Sequence, residues 1–221
     1  MARTRVNLDD LNRASLGSNW DQMNTWAGGT ATIAGSTVLQ GAGVGGLTQW
    51  SIIRWVGAGS FGDEQYAEAQ TTALDWQTTA YGSAAIINMS ADVNSSGAEM
   101  DFYAAVVFDD AASGANHTTG IYKVVNGTAT LQGATVSMTW TVNDLVGIER
   151  VGNVLHFCKN GVSQYNRTDS GTPLTGGAPA FALAGGGVAT RLDNLDIGNN
   201  ASSGGSSIAA ISNYYRMMRG A

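Results

Sequence analysis

VGIERVGNVLHFCKNGVSQYN, residues 146–166, predicts three consecutive β-strands joined by two tight turns. Branched and aromatic residues fill its three apolar stretches, which is typical of strands. Gly152-Asn153 and Asn160-Gly161 separate these stretches. Asn-Gly accepts the positive φ angles that a two-residue hairpin turn requires. The segment therefore predicts an antiparallel meander.

Segments of the same kind lie on both sides of the meander. Residues 120–125 and 128–132 flank Asn126-Gly127, which predicts another tight hairpin. Further strands are predicted at 30–34 and 36–40 around Gly35, then at 50–56, 65–71, 84–89, 101–108, 181–184 and 190–197. A chain built of many short strands predicts an all-β, two-sheet antiparallel sandwich.

The composition fits one globular domain and excludes several classes of partner. The chain has 221 residues, of which 43% are hydrophobic, so it can bury a core. Its formal charge of −6 argues against nucleic acid as a partner. One cysteine, Cys158, excludes an internal disulfide, and we find no signal peptide and no apolar run long enough to span a membrane.

The chain divides by composition into a sandwich at 1–198, a Gly/Ser-rich linker at 199–207 and a C-terminal docking arm at 208–221. Apolar residues of the arm recur at helical spacing, which predicts a short arm or helix that another surface must hold. Both chain ends are basic, whereas residues 14–212 carry 15 acidic against six basic residues. We expect docking through the ends, and in the arm through Tyr214, Tyr215, Arg216, Met217, Met218 and Arg219, because such residues are common at interfaces.

Three segments of the sequence resemble concanavalin A-like (laminin-G-like) domains. They are Leu16-Gly17-Ser18-Asn19-Trp20 near the start, the meander at 148–164, and Arg191-Leu192-Asp193-Asn194-Leu195 at the end. The resemblance covers residues 8–198 and implies a jelly-roll sandwich.

The order of a Gly/Thr-rich sandwich, a linker and a tail with paired Tyr, Met and Arg resembles small virion proteins of tailed bacteriophages. This resemblance implies a non-enzymatic structural protein, a capsid decoration or minor capsid-associated protein, assembled in the host bacterial cytoplasm. Its expected partners are other virion proteins and further copies of itself. Fold by itself does not determine function.

Carbohydrate binding is the alternative function, because aromatic faces stack on sugar rings. Six tryptophans are many for this length. We expect Trp20 and Trp140 in the core and consider Trp50, Trp55 and Trp76 as glycan-stacking residues. On this interpretation the protein is a lectin-like module that binds a receptor or host-surface glycan.

No catalytic constellation is predicted. Glu64 and Glu68 fall on one face of a strand, like the acids of laminarinase-like hydrolases, which share the fold. Four residues of strand separate them by about 13 Å, whereas a retaining glycosidase needs about 5 Å. Cys158 and His156 also share a face, but no acid adjacent in sequence would orient the histidine.

No metal or cofactor is expected as a requirement. Two histidines and one cysteine are too few ligands for a zinc site. Asp109 with Asp110, and Asp193 with Asp196, are candidates for calcium, which prefers oxygen ligands. Acids are common at strand ends, so this remains the weaker interpretation.

Overall fold

The computed structural model describes residues 3–23, 31–34, 38–40, 50–73, 82–90, 100–111, 114–184 and 191–200. Sixteen strands occur in these ranges. The described ranges contain no helix, and hence none that is long and apolar enough to cross a membrane. The all-β fold class predicted from the sequence is confirmed.

The strands form two antiparallel sheets, here called sheet A and sheet B. Sheet A has the order β14-β13-β12-β6-β16-β4-β3, with β1 also paired to β16. Its strands are β1 (Arg3–Asp9), β3 (Thr32–Ala34), β4 (Val38–Gln40), β6 (Gln65–Ala73), β12 (Leu145–Val151), β13 (Val154–Lys159), β14 (Val162–Thr168) and β16 (Arg191–Asn200).

Sheet B has the order β10-β9-β8-β7-β15-β5-β2, with β11 also paired to β9. Its strands are β2 (Trp20–Met23), β5 (Ser51–Trp55), β7 (Gly82–Met89), β8 (Phe102–Phe108), β9 (Asn116–Val125), β10 (Thr128–Leu131), β11 (Val136–Thr139) and β15 (Ala178–Ala184).

The predicted meander is β12, β13 and β14, paired antiparallel in that order. Asn160 and Gly161 adopt φ of 54° and 73°, and Asn126 and Gly127 adopt 48° and 71°. Both Asn-Gly pairs therefore make the left-handed turns expected of them.

The inter-sheet core contains the two tryptophans expected there. Trp20 is 4% exposed and Trp140 is fully buried. Trp20 packs edge-on against Trp55 with ring centroids 5.2 Å apart, and Trp140 packs edge-on against Phe157 at 6.2 Å. Alternate residues of sheet A, such as Ala67 and Ala69, enter this core and leave Tyr66 and Glu68 on the outer face.

Strand β1 was missed by the sequence analysis, which treated the first residues as a basic docking end. The structure corrects this, because β1 pairs with β16 along its whole length. Arg3 binds Glu68 and Glu149, and the other two arginines are also paired: Arg5 with Asp196, and Arg13 with Asp9. The side chains of Arg3, Arg5 and Arg13 therefore form ion pairs with acids of the domain itself.

The sandwich also ends later in the chain than the sequence predicted. Strand β16 continues through Asn199 and Asn200, which composition had assigned to the linker. Arg3 pairs with Asn200 and Gln65 pairs with Asn199, so both asparagines are held in sheet A. This extension brings two amide side chains to one end of the sheet.

Candidate functional site

Two of the three tryptophans proposed for glycan stacking are in the protein interior, so that hypothesis is wrong for them. Trp50 is fully buried in an apolar cluster on the outer face of sheet B, where it packs against Phe108. Trp55 is 5% exposed and packs in the inter-sheet core. Both were misjudged because β5 is apolar on both of its faces. Trp76 lies outside the described residues.

Glu64 and Glu68 do not form a catalytic pair. Glu68 is 6% exposed, binds Arg3, and accepts a hydrogen bond from the Gly161 amide. Burial raises the pKa of Glu68, and the charge of Arg3 partly offsets that rise. Glu64 precedes β6 and accepts a hydrogen bond from the Gly152 amide at 2.8 Å. The two carboxylates therefore have different hydrogen-bond partners.

Cys158 and His156 do not form a nucleophile–base pair. Cys158 is fully buried, and burial raises the pKa of its thiol, with the carboxylate of Glu149 adding to the effect. The His156 ring Nδ1 is 3.0 Å from Ser163 Oγ, whereas the Cys158 thiol points toward the His156 carbonyl. A protonated, buried thiol is a poor nucleophile.

In the two aspartate pairs considered for calcium, Asp110, Asp193 and Asp196 are hydrogen-bonded to groups of the protein. Asp110 accepts from the Thr118 amide at 3.0 Å, and Asp109 is fully buried. Asp193 accepts from the Asn194 amide, while Asp196 binds Arg5 and the Tyr66 hydroxyl. Throughout the described ranges, no group of three or more His, Cys, Asp or Glu side chains could hold a metal. Calcium binding stays a prediction.

The docking residues predicted in the arm, from Tyr214 to Arg219, lie outside the described residues. The arm or helix and most of the linker lie there too. A docking role for the C-terminal end, and with it the virion setting, therefore stays a prediction.

An open cavity of about 360 Å³ lies at the end of sheet A, where β6 begins and β16 ends. It is lined by Gly62, Asp63, Glu64, Asn199 and Asn200. We call it the Glu64–Asn200 cavity. A second cavity of about 480 Å³ lies beside Trp20. No buried side-chain atom without a partner, in the described part of the chain, belongs to that second cavity.

Backbone hydrogen bonds tie the Glu64–Asn200 cavity to both strands. The Asn200 amide donates to the Glu64 carbonyl at 3.0 Å. Asn199 Oδ1 accepts from the Gly62 amide, and Asn199 Nδ2 donates to the Ser60 carbonyl, both at 2.9 Å. The segment that leads into β6 is thereby fastened along the last residues of β16.

The buried amide side chains of Gln65 and Asn88 hold the backbone beside the cavity through hydrogen bonds. Gln65 Nε2 donates to the carbonyls of Gly62 and Gly176 at 2.8 and 3.0 Å, and Gln65 Oε1 accepts from the Asn88 amide. Asn88 Nδ2 donates to the carbonyls of Asp63 and Gly176 at 3.0 and 2.9 Å. Gln65 is fully buried, so this frame is rigid and its geometry is set before any ligand arrives.

Two acceptor atoms of the lining residues have no hydrogen-bond partner among the described residues. They are Oε2 of Glu64 and Oδ1 of Asn200, and both are buried, so they present almost no surface to the open cavity. Asn200 is only 6% exposed, and its Nδ2 donates to the carbonyls of Gln65 and Arg150 at 3.2 and 3.0 Å, which fixes the orientation of its amide. Buried polar atoms are normally paired, but Thr71 Oγ1 and Ser83 Oγ are further examples among the described residues.

The cavity is acidic. Asp63 and Glu64 both line it, and neither takes part in an ion pair of the described residues. Asp63 Oδ1 accepts from the Gly176 amide at 2.7 Å, and Glu64 Oε1 from that of Gly152. The site therefore offers hydrogen-bond acceptors and negative charge.

The sequence analysis missed most of this cavity. Glu64 was considered only as a catalytic acid, and Asn199 and Asn200 were assigned to the linker. Asp63 drew no attention. One signal in the sequence could have pointed to it, a pair of acids directly before a strand. The contact between 62–64 and 199–200 spans more than 130 residues, and no local pattern predicts it.

No protein-family model matches the sequence, and no protein of curated function is similar to it at the sequence level. Solved structures resemble its fold. Carbohydrate-binding module CBM66 from Bacillus subtilis is 19% identical over 83% of this chain and 97% of its own, with a TM-score of 0.53. A Bacillus subtilis protein of unknown function with a galectin-like fold is 12% identical over 90% and 97%, at 0.59. The chain shares the jelly-roll β-sandwich fold of these structures.

The same fold also occurs in an enzyme. Bacillus licheniformis β-glucanase is 10% identical over 91% of this chain and 99% of its own, with a TM-score of 0.56. Identities this low establish the jelly-roll fold alone. Because a binding module and a hydrolase share it, function must be argued from the Glu64–Asn200 cavity.

Proposed function

We propose that this protein is a non-enzymatic carbohydrate-binding module, and that the Glu64–Asn200 cavity holds one sugar unit of a glycan. The observation that carries the proposal is an open cavity of about 360 Å³ whose lining includes the acceptor-bearing side chains of Asp63, Glu64, Asn199 and Asn200. The similarity of the fold to a carbohydrate-binding module supports it.

Sugar hydroxyls are suited to a cavity lined by acidic and amide side chains. A pyranose ring presents several hydroxyls in fixed directions, and each can donate to a carboxylate or amide oxygen. A site built to hydrogen-bond hydroxyls also rejects ligands that lack them.

The size and rigidity of the cavity suit a small polar ligand. A volume of about 360 Å³ lies within the range of small-molecule sites, at its lower end. Gln65 and Asn88 hold the lining backbone with buried side-chain hydrogen bonds, so little ordering is needed on binding.

The use of the carboxylates favours binding over hydrolysis. A glycosidase needs one carboxyl as acid and a second as nucleophile or base. Here Asp63 and Glu64 each commit one oxygen to a backbone amide, of Gly176 and Gly152. The partner of each of these oxygens is thus a backbone amide and not the other carboxyl.

The proposed setting is the surface of a phage virion, on which the module would bind a host-surface glycan. This setting is supported by the composition of the tail at 208–221 and by its resemblance to phage virion proteins. Copies of the module on one particle would add avidity to a weak single site.

Obstructing the cavity tests the proposed function. A Cβ added at Gly62 would meet no atom within 4 Å, so Gly62→Leu would place its side chain in open space at the cavity wall. We expect Gly62→Leu to lower glycan affinity at least about tenfold, the scale of one lost buried hydrogen bond. A glycan array followed by calorimetry measures this.

The matched control is Ala129→Leu, which adds the same side chain at an exposed position of β10 in sheet B. It should leave affinity and unfolding temperature unchanged. Equal glycan binding by Gly62→Leu and the wild type, or no binding to any glycan of the array, would disprove the proposal.

A further inference from the structure

We propose that the side of β16 on which β1 lies is an interaction surface for a second copy of this chain, and that two copies dimerise by exchanging β1. In the closed monomer β1 pairs with its own β16 from Arg3 to Asp9, and in the described part of the chain it pairs with no other strand. In the exchanged dimer each β1 makes the same pairs with β16 of the other copy. This inference is independent of glycan binding.

The surface beside β16 is specific for the sequence of β1. Glu68 and Glu149 are each 6% exposed and bind Arg3. Asp196 binds Arg5. Buried carboxylates that lose their cation strongly destabilise a protein, so a strand that replaces β1 must also place an arginine between the two glutamates. A second copy carries that arginine in the same register, which makes it the partner that fits.

The connection between β1 and the rest of the domain is long enough for exchange. Residues 10–19 join β1 to β2 and contain no strand. Ten residues reach about 33 Å when extended, whereas the seven residues of β1 span about 23 Å. The connection can therefore carry β1 to an adjacent molecule while both sheets stay folded.

Leu11, where the chain leaves β1, has a strained backbone. Its φ is 53°, a left-handed value that a bulky residue rarely adopts. The Leu11 amide donates to Asp9 Oδ1 at 3.0 Å, and the Arg13 amide donates to the Leu11 carbonyl at 2.7 Å, so the bend is held by hydrogen bonds. Exchange gives the chain after Leu11 a different path and relieves this strain, as in other proteins with strained connections.

The Arg13 side chain stabilises the closed monomer. Its guanidinium donates to both carboxylate oxygens of Asp9, at 2.5 and 2.6 Å, and to the Leu16 carbonyl. These contacts depend on the path of the connection and belong to the closed form. The ion pairs of Arg3 and Arg5 with sheet A form equally in both states. Loss of the Arg13 contacts therefore shifts the equilibrium toward the exchanged dimer.

Arg13→Met tests the role of the bend. We expect its dimerisation constant to exceed that of the wild type at least about tenfold, the scale of one lost hydrogen bond to a charged group. Arg167→Met is the matched control, because Arg167 also donates to backbone carbonyls, of Gln132 and Ala134, but lies on β14 at the other end of sheet A. Light scattering on the full chain, after incubation in urea near the unfolding midpoint and return to buffer, measures both.

Mixing two variants tests the exchange of β1 directly. In Arg3→Met the two glutamates lack their cation, and in Glu68→Gln with Glu149→Gln the cation lacks its acids. An exchanged heterodimer restores the full set of charges on one β16 and removes all of them on the other. After the same urea step, we expect native mass spectrometry to show the heterodimer in at least about tenfold excess over either homodimer, because an unpaired buried charge costs more than this ratio requires.

The outcomes are decisive in both directions. Excess heterodimer supports the exchange of β1, and if a variant does not fold alone, recovery of folded heterodimer on mixing supports it equally. A statistical mixture of dimers shows association through another surface and overturns the proposal, as does a mixture that forms no dimer. An unchanged constant in Arg13→Met, or an equal rise in Arg167→Met, overturns the role of the bend.

Discussion

At the scale of single residues, Asn200 and Asp169 show two uses of a buried polar side chain. Asn200 satisfies its donors within the protein, whereas its buried Oδ1 has no partner among the described residues. In Asp169, by contrast, both carboxylate oxygens accept hydrogen bonds. It is 4% exposed, accepts from Lys123 Nζ at 2.7 Å and from the Gly171 amide at 3.0 Å, and also accepts from the Tyr103 hydroxyl.

The difference between the two has a measurable consequence for Asp169. Burial acts to raise the pKa of this carboxyl, but the hydrogen bonds from Lys123, Tyr103 and Gly171 outweigh it and hold the pKa below the usual value of 3.8. A depressed pKa stabilises the folded state above the pKa of the unfolded chain. That contribution is lost as the pH falls through the folded-state pKa.

Replacing Asp169 with Asn is therefore expected to destabilise the protein in a pH-dependent way. At pH 7 the loss should be about 2 kcal/mol, as for a hydrogen bond to a charged group. Below about pH 4 the difference from the wild type should shrink, because the wild-type carboxyl becomes protonated. Urea unfolding at both pH values measures this, with Asp21→Asn as the control. A difference independent of pH would contradict the assignment.

At the scale of elements, β1 matters more than its position at the start of the chain suggests. It pairs with β16 from Arg3 to Asp9. It also delivers Arg3 to Glu68 and Glu149, which are each 6% exposed on neighbouring strands of sheet A. Gly198 of β16 lies so close to β1 that a Cβ there would meet the Thr4 carbonyl at 2.1 Å. The fit leaves no room for a side chain between the strands.

Arg3→Met is expected to cost about 3–5 kcal/mol, because it leaves two buried carboxylates without their cation. Burial already raises the pKa of Glu68, and removal of Arg3 would raise it further. A raised folded-state pKa disfavours folding as the pH rises through it, so the variant should regain stability as the pH falls from 7 toward 5. Denaturant unfolding across that range measures this.

A matched variant isolates the ion pairs from the packing of Arg3. Arg3→Met combined with Glu68→Gln and Glu149→Gln removes the uncompensated charges and should recover part of the lost stability at pH 7. If the triple variant is no more stable than Arg3→Met, the loss comes from packing over the Tyr66 ring instead.

At the scale of the whole molecule, sheet B separates two apolar layers. Successive residues of β8 alternate between them: Phe102, Ala104 and Val106 enter the outer cluster, while Tyr103 and Ala105 enter the inter-sheet core. Sheet A instead carries an apolar inner face and an outer face of paired charges. The Glu64–Asn200 cavity lies at one end of sheet A.

Deleting residues 208–221 tests the virion setting at this scale. The last described strand ends at Asn200, so we expect the shortened chain to fold with an unfolding temperature close to that of the full chain. If the arm docks on other virion proteins, the same deletion should remove the protein from purified particles, as measured by mass spectrometry. Incorporation that survives the deletion, or a shortened chain that fails to fold, would contradict the docking role.

Local patterns were sufficient to predict the all-β class, the meander and the burial of Trp20 and Trp140. These features depend on periodicity and turn chemistry within about ten residues, which a sequence displays directly. Strand β1 was not predicted, because its polar residues become strand only by pairing with β16.

The cavity depended on tertiary structure alone. Glu64 and Asn200 meet because β6 and β16 are neighbours in sheet A, and Trp50 and Trp55 are buried because clusters on the two sides of sheet B enclose them. The local spacing of residue types does not encode which distant strands pair. It also does not encode whether one or both faces of a sheet are covered by other residues. Residue types predicted which elements form, whereas long-range packing determined which polar atoms are left without partners.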